Sequence, residues 1–378
     1  MKTIGILTFH RSINCGSALL AYSLASFLNQ AGFHAEVIDF IPHGYQKLYG
    51  LFHLPLSLSA LKKDSLLLIP SILKYQLKRK KIYNDFVTKI IPLSKERKIT
   101  AASLPSICEK YDAVICGSDQ IWNPRCIDFD EGFFLPYGKN FRRIAYAVSL
   151  GRHFLLSDHP NQELIRKSIA QFDHISVREQ ASVKKLESIY PEKVDTTIDP
   201  TMLVNKEVFC KIAAPRQTNR QFIFLYSVKM SKKTIQAARD LSNRTGLPVL
   251  SLFSGKASFS WFRNKDMIPA GKVGPQEFLA YIRDAEYVVT DSFHGSVFSL
   301  IFQQNFFIIE KEDSIGNPLQ DERINTLCDI FHIKNRLISA NNIKDISLDC
   351  NIDWNEIESL RQNYAEDSKK FLFNALSD

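Results

Sequence analysis

Asp291 and His294 stand three residues apart in "VVTDSFHGSV" (Val288–Val297), between two apolar runs. Histidine titrates near neutral pH and exchanges protons readily, and a nearby carboxylate can orient its imidazole. Gly295 frees the backbone where the next helix should begin. The spacing therefore predicts an acid/base pair, His294 with Asp291, delivered by a strand to a helix N-terminus.

Three further polar turns carry residues suited to binding. "HRSINCGS" holds His10, Arg11, Asn14 and a single glycine, Gly16. A helix start after such a turn offers unpaired N–H groups to a phosphate or carboxylate. One glycine is not a G-x-G-x-x-G loop, so a dinucleotide site is disfavoured and Asp39 reads as a strand-end residue. "GSDQIWNP" offers Ser118, Asp119 and Asn123 for hydroxyl groups and Trp122 for stacking on a sugar ring. "SVREQASVKKL" puts Arg178, followed by Glu179, at a strand end, where a guanidinium suits an oxyanion. The plain alternatives are helix capping for the first two turns and a surface ion pair for Arg178.

These residues need a scaffold that gathers strand ends. "TIGILTF" and "AEVIDF" flank a helical pattern of Leu20, Leu24, Phe27, Leu28 and Ala31 that Gly32 stops. This is a βαβ unit. The rhythm returns in "YDAVICGSD", "RRIAYAVSLG", "FDHISVRE" and "VDTTIDP". After the polar stretch Ala213–Gln221, a second set follows with "FIFLYSV", a helix from Lys232, "PVLSLF", a helix opened by Pro275, "YVVT" and "FFII". The simplest architecture is α/β: two Rossmann-like domains facing a cleft, with ligands at the carboxyl ends of parallel strands. The expected division is residues 1–212, 213–353, and a C-terminal helix over 354–378 that could cross back. Residues 44–100 read as a helical, basic insertion in the first domain, either packed on it or resting through 62–98 on an anionic membrane.

The 378 residues are enough for two domains, and 45% hydrophobic with 23% charged residues is ordinary for a globular protein. A net charge of +8 is too dilute to single out an anionic partner, and its densest basic run lies in the insertion rather than on an aromatic-bearing face, which disfavours nucleic acid. Seven cysteines form no C-x-x-C pair, so reduced thiols in a cytoplasmic protein are expected, with no metal site and no cofactor. The start "KTIGILTF" is too short and strand-like for a signal peptide, and no apolar run approaches the ~18 residues of a membrane span.

Taken together, "GILTFHRSINCGSALLAYSL", "YDAVICGSDQIWN", "ISVREQASVKKL", "IDPTMLV" and "VVTDSFHGSVFSLIFQQNFFII" resemble the polysaccharide pyruvyl transferase family, and "DERINTLCDIFHI" resembles a further family segment. The resemblance implies a GT-B-like fold. It also implies transfer of a pyruvyl group from phosphoenolpyruvate to a sugar of a cell-surface polysaccharide or its precursor, which could be polyprenyl-linked, usually as a cyclic ketal. On this resemblance His294 matches the family histidine, Arg178 an arginine of R-[DE]-x-x-S, and Arg323 a late arginine. Many relatives carry D-R-L-H-G where this chain has D-S-F-H-G, so Ser292 stands in place of an arginine, and either Arg11, Arg178 or Arg323 supplies the charge or the donor site differs. With Ser292 and Gly295 these form the expected donor site; Asn14, Gly16, Ser118, Asp119, Trp122 and Asn123 form the expected acceptor site. The rival functions are a glycosyltransferase using a nucleotide sugar and a non-catalytic glycan-binding relative.

Overall fold

The computed structural model describes residues 1–50, 70–136, 138, 140–151, 160–227, 231–253, 267–270, 274–312, 318–319, 321–339, 348 and 352–377. Two compact units emerge. Unit 1 comprises Met1–Ile13, Ser17–Val204 and Tyr364–Asp378; unit 2 comprises Asn14–Gly16 and Asn205–Asn363.

Unit 1 is built on six parallel strands, β1 (Thr3–Leu7), β2 (His34–Val37), β3 (Ala113–Cys116), β4 (Arg142–Val148), β5 (His174–Val177) and β6 (Val194–Thr196), in the order β2-β1-β3-β4-β5-β6. The near-continuous apolar runs of β1, β3 and β4 are the signature of strands covered on both faces, and nearly all their residues are buried. On one side Phe133 meets Phe9 and Phe40 edge-on at 5.1 and 5.3 Å. The basic stretch forms a helix over Pro70–Lys89 that buries Tyr83, Phe86 and Val87. Arg79 in that helix is also buried: its guanidinium lies 5.9 Å over the Tyr83 ring and donates to the Ile13 carbonyl at 3.5 Å. Residues 51–69, including part of the 62–98 segment expected to touch a membrane, lie outside the described residues. No helix among the described residues is long and apolar enough to cross a membrane.

Unit 2 has β7 (Ile223–Ser227), β8 (Val249–Phe253), β9 (Ile268–Pro269), β10 (Tyr287–Thr290), β11 (Phe306–Ile309), the antiparallel pair β12 (Lys311–Glu312) and β13 (Pro318–Leu319), and β14 (Leu337–Ile338). Its parallel sheet runs β14-β11-β10-β7-β8-β9, the Rossmann order. Helix Lys232–Thr245 starts where the Ser231 hydroxyl accepts from Thr234 N at 2.9 Å and stops at Gly246, whose φ of 72° suits glycine.

The boundary falls earlier than the polar stretch at 213–221 implies. Helix Lys206–Ile212 belongs to unit 2, because Phe209 packs edge-on against Phe298 at 5.0 Å and Ala214 N donates to the Gln276 carbonyl. The last helix runs Trp354–Ser377, and its second half belongs to unit 1, where the Ser368 hydroxyl accepts from Ile198 N at 3.0 Å.

Candidate active site

In an open parallel sheet the strand order reverses at one point, and the crevice outside the carboxyl ends of the two strands there is where ligands bind. In unit 2 that point lies between β7 and β10. Ser227 ends β7, and its hydroxyl donates to Asp291 Oδ2 at 2.6 Å, just past β10. Thr290 Oγ1 donates to the Tyr226 carbonyl at 2.7 Å and accepts from Ser292 N at 3.1 Å. The turn is thus tied to both strands before the helix Phe293–Ile301 begins. Ser292 is the N-cap: its hydroxyl accepts from Gly295 N at 3.4 Å. Arginine has no acceptor and cannot fill that role, so Ser292 has a definite local function as a cap.

Gly295 is required by packing rather than by backbone freedom. A Cβ there would lie 2.3 Å from Thr290 Oγ1 and 3.0 Å from the Tyr226 ring. The helix therefore rides close on the strands and holds His294, 4% exposed, in its first turn. Gly16, in the short stretch that belongs to unit 2, is equally constrained: its Cβ would stand 2.3 Å from the His294 ring. The Asn14 side chain accepts from Gly16 N at 2.9 Å, a capping contact at the start of helix Cys15–Gln30. Asn14 and Gly16 are thus grouped with His294, not with Ser118 and Asp119.

Arg323 lies in the same unit, 5.8 Å over the ring of Phe293, the neighbour of His294. It grips Asp321 with two bonds, of 3.0 and 2.9 Å, and Lys311 reaches the same carboxylate at 2.8 Å. Burial pushes the Asp321 carboxyl up, but the two cations outweigh this and hold it far below the usual carboxylate range. One carboxylate against two cations leaves the trio with a net charge of +1. Lys311 and Asp321 escaped the sequence reading, since a two-residue strand and a cap residue carry no pattern.

The switch point of unit 1 lies between β1 and β3. Thr8 Oγ1 donates to the Ser118 carbonyl at 3.2 Å, and Ser17 Oγ to Asp119 Oδ2 at 2.7 Å, so the two loops are joined there. Asp119 sits at φ 72°, the left-handed region that Asp tolerates better than most residues. Arg178 donates to Ser118 Oγ at 2.6 Å and lies 3.3 Å from Asp199, with only 4% of its side chain exposed. Asp199 in turn accepts from Thr201 N at 3.0 Å, so the "IDPTM" segment serves as cap and counter-ion. Arg178 and His294 belong to different units.

Asp128 was not anticipated. It is 7% exposed, and Tyr49 OH donates to it at 3.4 Å. Burial, with the nearby Asp119 charge adding to it, pushes its carboxyl up to about 6. It reaches this position because Gly44 lets the chain pass so close to Ile127 that a Cβ would overlap the Ile127 carbonyl.

Two expected binding residues have other employment. Trp122 is 0% exposed; its indole N–H donates to the Phe133 carbonyl at 3.0 Å and its ring stacks on Phe134 at 5.0 Å. No ring face remains for a sugar, so Trp122 is a core residue and the stacking assignment is corrected. Arg11 forms a bidentate pair with Asp39, whose second oxygen it meets at 2.7 Å. Burial pushes Asp39 up, but bonds from Arg11 and His10 prevail and hold it well below the usual range. Asn123 remains partly exposed, with its amide donating to Gln120 Oε1 at 3.3 Å and its oxygen accepting from Arg125 N at 3.1 Å.

The family model for polysaccharide pyruvyl transferase matches residues 14–312. The chain belongs to the polysaccharide pyruvyl transferase family. The matched span includes Arg178, Asp291 and His294 and stops short of Arg323. No curated protein matches the sequence at a significant level. Among solved structures, the chain is similar to the S. aureus MnaA–UDP co-structure, at 12% identity over 100% of this chain and 98% of that one, TM-score 0.55. It is also similar to the UDP-GlcNAc 2-epimerase from Neisseria meningitidis bound to UDP-GlcNAc, at 12% identity over 99% and 100% of the two chains, TM-score 0.54. The UDP-GlcNAc 2-epimerase from Methanocaldococcus jannaschii follows at 10% identity over 98% and 100%, TM-score 0.53. At such identities the likeness is one of fold, and the fold of this pyruvyl transferase family member is GT-B-like, with two Rossmann-like units.

Proposed function

We propose that the protein transfers a pyruvyl group from phosphoenolpyruvate to two hydroxyls of a saccharide acceptor, giving a pyruvate ketal and inorganic phosphate. One acceptor hydroxyl attacks the central carbon while its proton is passed on and the methylene carbon gains one. The C–O bond to phosphate then breaks, the second hydroxyl attacks, and its proton leaves with the phosphate. The reaction draws on no cofactor beyond this donor. His294 is the group that moves a proton, and Asp291, held by Ser227, belongs to the same turn.

The observation that carries this reading is the position of His294. It lies within the family-matched span, in the first turn of a helix that follows the switch-point strand β10. That helix N-terminus and the net-positive Lys311–Asp321–Arg323 trio suit a small molecule bearing both a carboxylate and a phosphate. Asn123, partly exposed in unit 1, and the neighbouring Asp119 suit the hydroxyls of a saccharide, whereas Ser118 is fully buried with its hydroxyl held between the Ala147 carbonyl and Arg178 and takes no acceptor-binding role. A polyprenyl-linked precursor made at the inner face of a membrane fits the exposed lysines, Lys74, Lys78 and Lys81, of helix Pro70–Lys89.

The test is thermal stabilisation by phosphoenolpyruvate, set against pyruvate, phosphate and a panel of nucleotide sugars, followed by mass spectrometry of saccharides incubated with the stabilising donor. Stabilisation by phosphoenolpyruvate and transfer that is lost in His294→Ala are expected. The structural neighbours described as bound to UDP or UDP-GlcNAc favour a second reading, a nucleotide-sugar donor. Stabilisation by UDP-GlcNAc alone would establish that reading and remove the first.

A further inference from the structure

The loop after β3 does more than carry Ser118 and Asp119. Farther along, Asp130–Pro136 forms one wall of a cavity of about 200 Å³ in unit 1. Leu104, Pro105, Leu135 and Leu164 make its lining mostly apolar. Cys108 also lines it, and burial pushes this thiol up to about 12, so it adds no charge near neutral pH. The volume lies below the ~300–1,000 Å³ of sites for drug-sized molecules, so the occupant is a compact group rather than a chain or a nucleotide.

The polar part of the lining is a histidine–aspartate pair together with Glu131 and Asn161, whose amide donates to Glu131 Oε1 at 2.8 Å. Asp130 has 1% of its side chain exposed, and its Oδ2 accepts from both the backbone N (2.8 Å) and Nδ1 (2.6 Å) of His43. Its Oδ1 accepts from Gly132 N at 2.9 Å. Three donors fix this carboxylate, and it fixes the imidazole with Nδ1 as the donor. Nε2 then lies on the far side of the ring as an acceptor, and His43 keeps 76% of its side chain exposed. An oriented imidazole beside a small apolar cavity meets the needs of one kind of molecule.

We propose that this cavity binds a compact apolar group carrying a hydroxyl, with the apolar part against Leu104, Leu135 and Leu164 and the hydroxyl donating to Nε2 of His43. The site is independent of the donor chemistry proposed above. Two sources share this chemistry: a free alcohol, and the apolar aglycone of a glycoside whose sugar hydroxyl meets His43.

Binding of benzyl alcohol, toluene, benzyl β-glucoside and methyl β-glucoside to the full chain is measured by ligand-observed NMR. The wild type, Leu164→Trp, which fills the cavity, and His43→Ala are compared. Saturable binding of benzyl alcohol, weakened at least about 10-fold by Leu164→Trp, is expected. One hydrogen bond to a solvent-exposed partner implies a loss of about 3- to 10-fold in His43→Ala for the alcohol, with toluene unchanged. Tighter binding of benzyl glucoside than of the alcohol identifies an aglycone, and the reverse identifies a free alcohol. No saturable binding to the wild type, or binding that Leu164→Trp leaves intact, overturns the site. Equal loss of alcohol and toluene in His43→Ala overturns the role of Nε2.

Discussion

The Asp128 carboxyl makes a prediction about stability with a definite sign. It is pushed up to about 6 in the fold from 3.8 in the open chain, because burial and the Asp119 charge outweigh its own backbone hydrogen bond and the long one from Tyr49. A folded-state value above the unfolded one means that the native protein holds the proton more tightly. Stability from this group is therefore fully present below pH 4 and is lost as the pH rises through 6. Above pH 7 the ionised carboxylate costs about 1.4 kcal/mol for each pH unit between the two values, or about 3 kcal/mol. Asp128→Asn keeps the shape and an acceptor for Tyr49 while removing the charge. It should raise stability at pH 4.5 by no more than about 1 kcal/mol and at pH 8 by about 2–3 kcal/mol. For a unit of this size that is about 5–10 °C in the midpoint of the transition that reports on unit 1. Differential scanning calorimetry of both proteins at the two pH values measures it. If Asp128→Asn lowered the midpoint at pH 8, or shifted both midpoints equally, the carboxyl would be ionised and satisfied in the fold, and the reasoning from burial would be wrong.

Other expectations are simpler. Ser292→Ala removes the cap on helix Phe293–Ile301 and should cost about 1 kcal/mol by chemical denaturation, whereas Ser292→Gly should cost only a few tenths. Trp122→Phe should lower stability by about 1–3 kcal/mol, since the Phe133 carbonyl loses its indole donor, and should leave the acceptor KM unchanged. Arg178→Ala withdraws a guanidinium from the buried Asp199 and should cost about 3–5 kcal/mol, whichever ligand is present. His294→Gln should lower kcat by ~10²–10⁴ in the transfer assay with no more than a small change in denaturation midpoint.

Much of the scaffold was legible because parallel strands buried on both faces leave apolar runs such as "DAVIC" and "YVVT" that turn residues punctuate. Helix starts at Ser231 and Pro275 carry local cap chemistry and were legible for that reason. The two-residue strands β9, β12, β13 and β14 were not, since they are set by their neighbours and have no period of their own. The Ser118, Asp119 and Arg178 cluster could be anticipated as strand-end residues, but Arg178 bonding to Ser118 depends on β3, β4 and β5 lying side by side. Trp122 was misread because indole suits a sugar face and a core equally, and only the three-dimensional crowding of Phe134 and Phe172 decides. Asp128 and Lys311 gain their settings from contacts with Tyr49 and Asp321, and no spacing rule reports such contacts.

The two units solve the same topological problem with opposite charge. At each switch point, side-chain hydroxyls tie one strand's exit to the other's: Ser227 to Asp291 in unit 2, Thr8 and Ser17 to Ser118 and Asp119 in unit 1. Around these ties the chemistry diverges. Unit 1 pairs Arg178 with Asp199 and Arg11 with Asp39, and buries the carboxyls of Asp119 and Asp128 near each other. Carboxylates accept hydrogen bonds from hydroxyls and repel anions, which on the proposed function favours the polyol over the anionic donor in this unit. Unit 2 sets two cations against one carboxylate beside the helix that carries His294. That excess favours an anion. On the function proposed above, this excess would place the donor in unit 2 and the acceptor in unit 1. Reversing the trio's sign with Lys311→Glu should weaken phosphoenolpyruvate-dependent stabilisation at low salt far more than it weakens acceptor binding.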